Sequence, residues 1–331
     1  MNKVAVVILN WNGLNLLKEY LPRVLDNTDP DVADVIVADN GSTDASVEYL
    51  HWLGVQTIEF KENYGFAGGY NRAIDRISSP YTVLLNSDVA PAPGWINILT
   101  DFMESHSEVG AVQPKILSWH NQDKFEYAGA SGGFLDRNGY PYCRGRIFGT
   151  VETDHGQYDT PIECDWVTGA AMMVRTDVYK SCGGLDTDFF AHMEEIDLCW
   201  RMRLAGWKLM AIPAATVYHL GGGSLPMGNP RKTYLNFRNN LLLLHKNLPH
   251  SIRNKALTRR RLLDTIAWAR AVASFNWADA RAIVRAHRDY SKMRAAYSSL
   301  KSPSENLIAN RPNILTEYFL RRHTSYASLT K

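Results

Sequence analysis

Cysteine is scarce in this chain of 331 residues: four, at 143, 164, 182 and 199, with no CxxC spacing. Such usage excludes a disulfide-stapled scaffold and a thiolate zinc site, and it reads as small core side chains in a reducing cytoplasm. Long apolar runs are missing too. Val4–Leu9 and Leu241–Leu244 fall far short of the ~18 apolar residues that read as a membrane span, and Val4–Leu9 is too short for a secretory leader. No GxGxxG follows the first apolar run, where NWNG stands instead, and no Walker A lysine loop, GxSxG elbow or HExxH helix occurs. The oxidoreductase, ATPase and hydrolase readings therefore lose their signatures. Hydrophobic residues make up 45 % and charged residues 21 %, which excludes disorder, collagen and coiled coil as the main architecture. A chain of this length buries a full core unaided, as one large domain or two modest ones.

The net charge of +2 conceals an asymmetry. Residues 231–331 carry 20 Lys/Arg against 5 Asp/Glu, and residues 1–230 carry 16 against 29. An acidic body with a basic tail calls for an anionic partner, a lipid surface or nucleic acid, or else for a tail that packs on the body.

In the first half, short apolar runs alternate with helical spacing. Val4–Leu9, Val35–Ala38, Thr57–Phe60 and Tyr81–Leu85 read as strands. Leu14–Leu25, Ser42–Leu53 (with Ser42 as its cap) and Gly68–Ile77 read as helices. The predicted fold class is α/β, a mostly parallel sheet flanked by helices. Such sheets bind ligands at the carboxyl ends of their strands, where polar clusters fall: Asn10-Trp11-Asn12-Gly13, Asp39-Asn40-Gly41-Ser42 and Asn86-Ser87-Asp88. Residues 118–163 read as loops and short strands that shape specificity, Trp166–Arg175 as a strand, and Glu194–Ala205 as an amphipathic helix. Gly221-Gly222-Gly223-Ser224 with Pro226, Gly228 and Pro230 reads as a hinge, and the chain beyond it as mostly helical and basic.

Three single residues and one acidic cluster carry candidate chemistry. Asp88 ends an apolar strand, well placed to hold a hard cation through oxygen, or simply to cap a turn. Asp39 is suited either to turn chemistry or to accepting the imide N–H of a pyrimidine. His219, before a glycine run, is a structural histidine or a metal ligand. Glu194, Glu195 and Asp197 open a helix, where the dipole favours carboxylates. Set against apolar neighbours, they also suit a general base, because desolvation raises a carboxylate's pKa; Arg201 and Arg203 offer pairing for the remainder.

In order, the strings VVILNWNG, IVADNGSTD, ENYGFAGGYNRAI, LLNSDV, WVTGAAMMVR, FFAHMEEIDLCWRMRLAGW and VYHLGGGS resemble inverting family 2 glycosyltransferases of GT-A fold, in their rhamnosyltransferase-like branch. The resemblance covers about residues 4–224. It implies a catalytic domain over 1–228, with a nucleotide-sugar half to about 115 and an acceptor half from 116, and a basic helical extension over 229–331. It implies a nucleotide-diphospho-sugar donor, Mg²⁺ or Mn²⁺, and transfer to an acceptor hydroxyl with inversion. By position, Trp11 beside Asn10 takes the place of the aromatic at the base, and Asp39 the base-reading acid. Asn63, Gly68 and Asn71 fall near the nucleotide and diphosphate. Asp88 is the last residue of the family's DxD, with Asn86 replacing the first Asp and Ser87 between them. His219 matches the late metal ligand, and Trp166 and Gly169 match a strand lining the sugar pocket. Glu195 stands at the base position, one methylene longer than the family's Asp, with Glu194 as the second candidate.

The branch implies dTDP-L-rhamnose as first donor, with UDP-galactofuranose, UDP-glucose or UDP-N-acetylhexosamine as alternatives, since Asp39 reads an imide common to uracil and thymine. The implied acceptor is a glycan or lipid-linked glycan of cell-surface polysaccharide synthesis. Processive synthases of the superfamily carry QxxRW and membrane spans, both missing here, so addition of one or a few sugars is expected. Between Arg259 and Tyr297, Trp268, Phe275 and Trp277 lie among arginines, a pattern suited to an anionic membrane surface or to packing on the catalytic domain. The resulting expectation is a cytoplasmic protein, peripheral at the inner face of the membrane if the tail docks there. No nucleic-acid recognition motif occurs, so no nucleic-acid partner is expected. A non-catalytic glycan-binding relative and a nucleotidyltransferase are the rivals; the latter needs a Gly-rich loop with Arg and Lys where NWNG stands.

Overall fold

The computed structural model describes residues 2–221, 228–297 and 299–329. Of the expected hinge, Gly222, Gly223, Ser224 and Pro226 lie outside the described residues. The first half runs β1 (Val4–Asn10), α1 (Leu14–Asn27), β2 (Ala33–Asp39), α2 (Ser46–Leu53), β3 (Gln56–Glu59), α3 (Gly65–Asp75), β4 (Tyr81–Leu85), β5 (Val89–Pro91), α4 (Trp95–Ser105) and β6 (Val109–Ser118). The strands β7 (Gly133–Leu135), β8 (Pro141–Cys143), β9 (Arg146–Ile147) and β10 (Thr150–Val151) form a small antiparallel sheet. After β11 (Ile162–Glu163) come β12 (Ala171–Arg175), α5 (Thr176–Ser181), α6 (Glu194–Leu204) and β13 (Lys208–His219), then the helices α7 (Pro230–Asn247), α8 (His250–Ala273) and α9 (Trp277–Met293).

Among the described residues nine strands form one mostly parallel mixed sheet, ordered β11-β13-β6-β12-β4-β1-β2-β3, with β5 paired to the end of β13. The strands β4, β1, β2 and β3 are mutually parallel. Strand β12 enters antiparallel between β4 and β6, and β13 lies parallel to β6. The order turns back between β1 and β4, and a crevice at the carboxyl ends is the consequence.

Strand alternation divides the interior. Val4, Val6 and Ile8 face one core with Leu17, Leu21 and Trp95; Ala5 and Val7 face the other with Tyr70, Ile74 and Trp200. The period of two along a strand buried on both faces gives this split. The second core also takes Leu241–Leu244 of α7, all within 1 % exposure, so the first tail helix is built into the fold. Tail cations meet body acids: Lys246 Nζ lies 2.7 Å from Asp186 and 2.8 Å from Asp197, and Arg311 pairs with Asp165.

Three local expectations need correction. Ser42 caps no helix: α2 starts at Ser46, and Ser42 instead donates its hydroxyl to Asp39 at 2.6 Å. The strand expected from Trp166 starts only at Ala171, because Trp166 bends away to a single bridge with Gly133. Arg201 does pair with Asp197, at 2.8 Å, but Arg203 turns to Asp165 at the same distance.

Candidate functional site

The carboxyl ends of β1 and β2 form a closed network around Asp39. Its Oδ2 accepts from Asn10 Nδ2 (2.9 Å) and Ser42 Oγ (2.6 Å), and its Oδ1 from Ser42 N (2.8 Å). An ionised carboxylate has about four acceptor positions, so one position on Oδ1 is left. Trp11, 56 % exposed, lies beside this network. Asn63 Oδ1 accepts from Asn40 Nδ2 and from Gly65 N, which shapes the entry to α3. Gly68 is buried on α3, and a Cβ there would stand 3.2 Å from Tyr64 Cβ. The Asn71 amide is already committed: its Oδ1 accepts from Tyr179 Oη (2.6 Å) and Leu185 N, and its Nδ2 donates to Leu185 O. Asn71 therefore braces α3 against the segment leading to α6. Trp166 is buried, its indole N–H on Phe134 O at 3.0 Å.

At the end of β4 the geometry becomes chemical. Residues 89–91 of β5 pair antiparallel with 217–219 of β13, and Leu220 N donates to Asp88 O at 3.0 Å. This pairing brings together two residues 131 positions apart: His219 Nε2 stands 3.1 Å from Asp88 Oδ1. Both are buried. Burial works to raise the Asp88 pKa, but the hydrogen bond and charge of His219, with the Gly221 N–H, hold it below the usual carboxylate range. On the far side of the ring, Nδ1 lies 3.3 Å from Glu126 Oε2, an ion-pair distance without hydrogen-bond alignment. Burial works to lower the His219 pKa; the two carboxylates overcome it and push the pKa up to about 10. Gly221, at φ +70°, closes over Glu126, and a Cβ there would stand 2.6 Å from Glu126 Oε1. Only glycine meets both demands.

Among the described residues no group of three or more His, Cys, Asp or Glu side chains could hold a metal ion. Glu126 cannot join Asp88, because it faces the opposite ring nitrogen. A two-donor site is nevertheless what a phosphate-bound divalent cation uses, since Mg²⁺ keeps waters and substrate oxygens as its other ligands. Here Asp88 Oδ1 and His219 Nε2 share a hydrogen bond at 3.1 Å; with that proton released, as metal binding requires, the same separation is that of two donors at right angles ~2.1 Å from an octahedral ion. The residues present fit such an ion.

The acidic helix start is the third part. A strained loop precedes it: Phe190, His192 and Met193 have φ of 65°, 68° and 72°. Non-glycine residues held there cost about 1–3 kcal/mol each and cluster at functional sites. Asn239 of α7 secures the loop, its Nδ2 donating to the carbonyls of Phe189, Ala191 and His192 at 2.7–2.9 Å. The carboxylates of the helix start have opposed environments. Asp197, paired with Arg201 and Lys246 and bonded to Asn247, is held low despite burial. Among the described residues Glu194 and Glu195 pair with no cation, and each has a buried carboxylate oxygen without a hydrogen-bond partner. Burial raises Glu194 well above the ordinary carboxylate range, and repulsion from Glu195 adds to it. Burial raises Glu195 to about 7, against the backbone N–H groups of the helix start. Glu194 is the deeper of the two, and Glu195 keeps partial exposure.

Gly169 ties this helix to the cation side. A Cβ at 169 would stand 3.6 Å from Glu195 Cβ, and the next residue's carbonyl, Ala170 O, accepts from Asn86 N at 3.0 Å. Ser87 is half-buried on the loop between Asn86 and Asp88. Gly169 and Ala170 thus link the Glu195 end of α6 to the loop that carries Asp88. One member escaped sequence reasoning: Glu126 sits in a loop with no periodicity to mark it. Nearby, Arg146 is buried, with its guanidinium 4.5 Å from the ring of Tyr127, the residue after Glu126.

The family model for glycosyl transferase family 2 matches residues 5–178. The chain is 40 % identical over 228 residues to the rhamnosyltransferase WbbL of Escherichia coli K12, covering 65 % of this chain and 83 % of that one. It is 26 % identical over 236 residues to the N-acetylglucosaminyl-diphospho-decaprenol L-rhamnosyltransferase of Mycobacterium tuberculosis H37Rv, covering 65 % and 75 %. In fold it is similar to a Pyrobaculum calidifontis mannosyltransferase in complex with GDP-mannose and Mn²⁺, at TM-score 0.52 and 16 % identity over 88 % of this chain and 84 % of that one. It is also similar to GalNAc-T7 with UDP, GalNAc and Mn²⁺, at TM-score 0.57 and 16 % identity, over 73 % of this chain and about half (47 %) of that one. These likenesses give the GT-A fold, and with the family model they make the protein a glycosyltransferase with rhamnosyltransferase relatives: the chain belongs to glycosyl transferase family 2.

Proposed function

We propose that the protein is an inverting, metal-dependent transferase that moves one sugar, first of all L-rhamnose from dTDP-L-rhamnose, to a hydroxyl of a glycan or lipid-linked glycan. The observation that carries the reading is the juxtaposition of Asp88 and His219 at 3.1 Å with a cation-free, partly exposed Glu195 beside Gly169. Trp11 and the free acceptor position of Asp39 serve the base, and Asn10, Asn86 and Ser87 shape the floor under the nucleotide sugar. Asn63, Gly68 and Asn71 hold α3 and its entry loop in place, while Trp166 and Gly169 set the depth of the sugar pocket.

Glu195 accepts the acceptor hydroxyl's proton as that oxygen attacks the anomeric carbon from the face opposite the leaving diphosphate. A single displacement inverts the carbon, so one carboxylate suffices. The two residues that would hold the cation are Asp88 and His219, with Glu126 orienting the imidazole from behind; when bound, Mg²⁺ or Mn²⁺ supplies neutralisation of the departing diphosphate's charge. A thermal-shift series with dTDP-rhamnose and the UDP sugars, with and without Mn²⁺, tests the donor. A ligand that binds only the folded state raises Tm, so dTDP-rhamnose with Mn²⁺ should give the largest rise. A larger rise with a UDP sugar would reassign the donor, and no rise with any nucleotide sugar would overturn the reading.

Asn239 is a positioning residue in this scheme, because it acts through the loop before Glu194. Asn239→Ala should lower kcat about 10²-fold, the cost of misplacing a reacting group by an ångström, with the KM for the donor unchanged. Equal losses in both constants would reduce Asn239 to general structural support.

For the tail, the reading is peripheral contact with an anionic membrane. Among the described residues no helix is long and apolar enough to cross a membrane, and Trp268, Phe275 and Trp277 stand exposed near the α8–α9 turn.

A further inference from the structure

One cleft lies outside the catalytic crevice. It opens between α7 and α9 with a volume of about 580 Å³, and its wall includes Phe190, Arg231, Tyr234, Arg238, Arg281 and Arg285. Such a volume lies within the range of small-molecule sites, about 300–1,000 Å³. Arg238 forms its buried floor, where one guanidinium nitrogen donates to the carbonyls of Asp188 and Phe189. Arg231 stacks on the Phe190 ring at 5.0 Å, and Arg285 on Tyr234 at 4.6 Å. Among the described residues neither Arg231 nor Arg281 forms an ion pair with a carboxylate. Arg285 has only Asp289, at 3.6 Å, and that carboxylate also accepts from the Tyr234 hydroxyl. Four guanidinium groups thus converge with little to neutralise them, on one side of a loop whose other end is Glu194. Guanidinium forks match phosphate oxygens bidentately.

A second, apolar groove adjoins the first. Trp268, Val272, Trp277 and Val284 line it, and Arg281 and Arg285 line both. Read from Phe190 outward, the surface is loop, arginines, then tryptophans. That sequence of chemistries matches one molecule: a sugar near the catalytic loop, a diphosphate, and a hydrocarbon chain leading away. We propose that the arginine cleft binds the diphosphate of a lipid-linked acceptor and that the start of its hydrocarbon chain lies along the tryptophan groove. This rests on the reading of the acceptor as lipid-linked and gives that reading a place on the protein. Arg281 and Arg285 then serve substrate recognition, and Trp268 and Trp277 meet the ligand's hydrocarbon chain where it leaves the membrane that the tail contacts.

The test uses the full chain, Mn²⁺ and saturating thymidine diphosphate, so that the donor site is filled. Farnesyl diphosphate, farnesol and inorganic diphosphate are titrated by calorimetry against the wild type and an Arg281→Glu/Arg285→Glu double variant. Both side chains are exposed, and circular dichroism with thymidine diphosphate affinity verifies the fold. Farnesyl diphosphate should bind the wild type more tightly than either fragment. The double variant should lose roughly tenfold or more of that affinity, as expected when charges facing a phosphate are reversed, with nucleotide affinity unchanged. Equal affinity of the two proteins for farnesyl diphosphate would overturn the proposal, and so would farnesol binding as tightly as its diphosphate. Loss of binding to phosphatidylglycerol vesicles with retained farnesyl diphosphate affinity would also overturn it, assigning the arginines to a membrane surface. Failure of the wild type to bind any nucleotide would sink the donor reading separately, with the farnesyl diphosphate arm still deciding the cleft.

Discussion

Glu195→Gln should abolish transfer by about 10²–10⁴-fold, the span that a positioned general base contributes, while leaving the donor's dissociation constant unchanged. The amide keeps the volume and cannot take a proton. Glu194→Gln should retain most of the activity. Glu194 is the more deeply buried of the two, and repulsion from Glu195 adds to the desolvation that raises its pKa; the amide imitates its neutral state. In the wild type, kcat/KM should climb as pH rises through about 7, since only the ionised base is competent. Stability should run the other way. An unfolded-state carboxylate ionises near 4.5, so folding keeps Glu195 protonated over the interval to about 7, and the fold loses stability as pH rises across it. Glu195→Gln should therefore raise Tm at pH 8 and leave it unaltered at pH 4. Full turnover in Glu195→Gln with none in Glu194→Gln would move the base by one residue.

Asp88→Asn should be as damaging, through a different quantity. The substitution keeps the shape and removes a charge that pairs with His219 at 3.1 Å in a buried site. Transfer should fall by about 10³-fold, in the range of losing a principal electrostatic contact to the leaving group, and Mn²⁺-dependent nucleotide binding should vanish from a calorimetric titration. The fold is weakened as well. Removing one member of a buried ion pair costs about 3–5 kcal/mol, less here because Glu126 still faces the imidazole at 3.3 Å. Glu126→Gln gives the graded comparison: it frees the ring's far nitrogen without touching Asp88, and such supporting groups typically contribute 10–100-fold in metal affinity. Unchanged Mn²⁺ dependence in Asp88→Asn would remove the cation from this site.

The sequence allowed Asp88 and His219 to be paired before any coordinates, because each follows an apolar run and family order supplied the match; Asp88 itself lies in the turn between β4 and β5 and does not end a strand. The strand ends read at Leu9, Ala38 and Leu85 lie within one residue of the observed ends at Asn10, Asp39 and Leu85, because both-face burial writes a continuous apolar run that stops at the carboxyl end of the sheet. Glu126 was not legible. Its position depends on a loop returning to the end of β6, and nothing in local spacing encodes that return. Asn71 and Trp166 read as ligand contacts by position, yet the Asn71 amide is filled by Leu185 and Tyr179, and the Trp166 N–H by Phe134 O. A motif fixes which residue stands at a place and leaves open which neighbours claim its hydrogen bonds. Likewise the tail's charge could be counted, but whether α7 lay on the body or apart from it depended on Leu241–Leu244 finding the second core.

The insertion of β12 between β4 and β6 governs how the protein emerges from the ribosome. Two strands made early cannot be joined until residue 175 has been synthesised. At ~5–20 residues per second that leaves several seconds in which β4 and β6 present open hydrogen-bonding edges. The nascent chain is most prone to stick to its neighbours during this interval, and an amino-terminal fragment that stops before residue 171 would keep both edges bare for good.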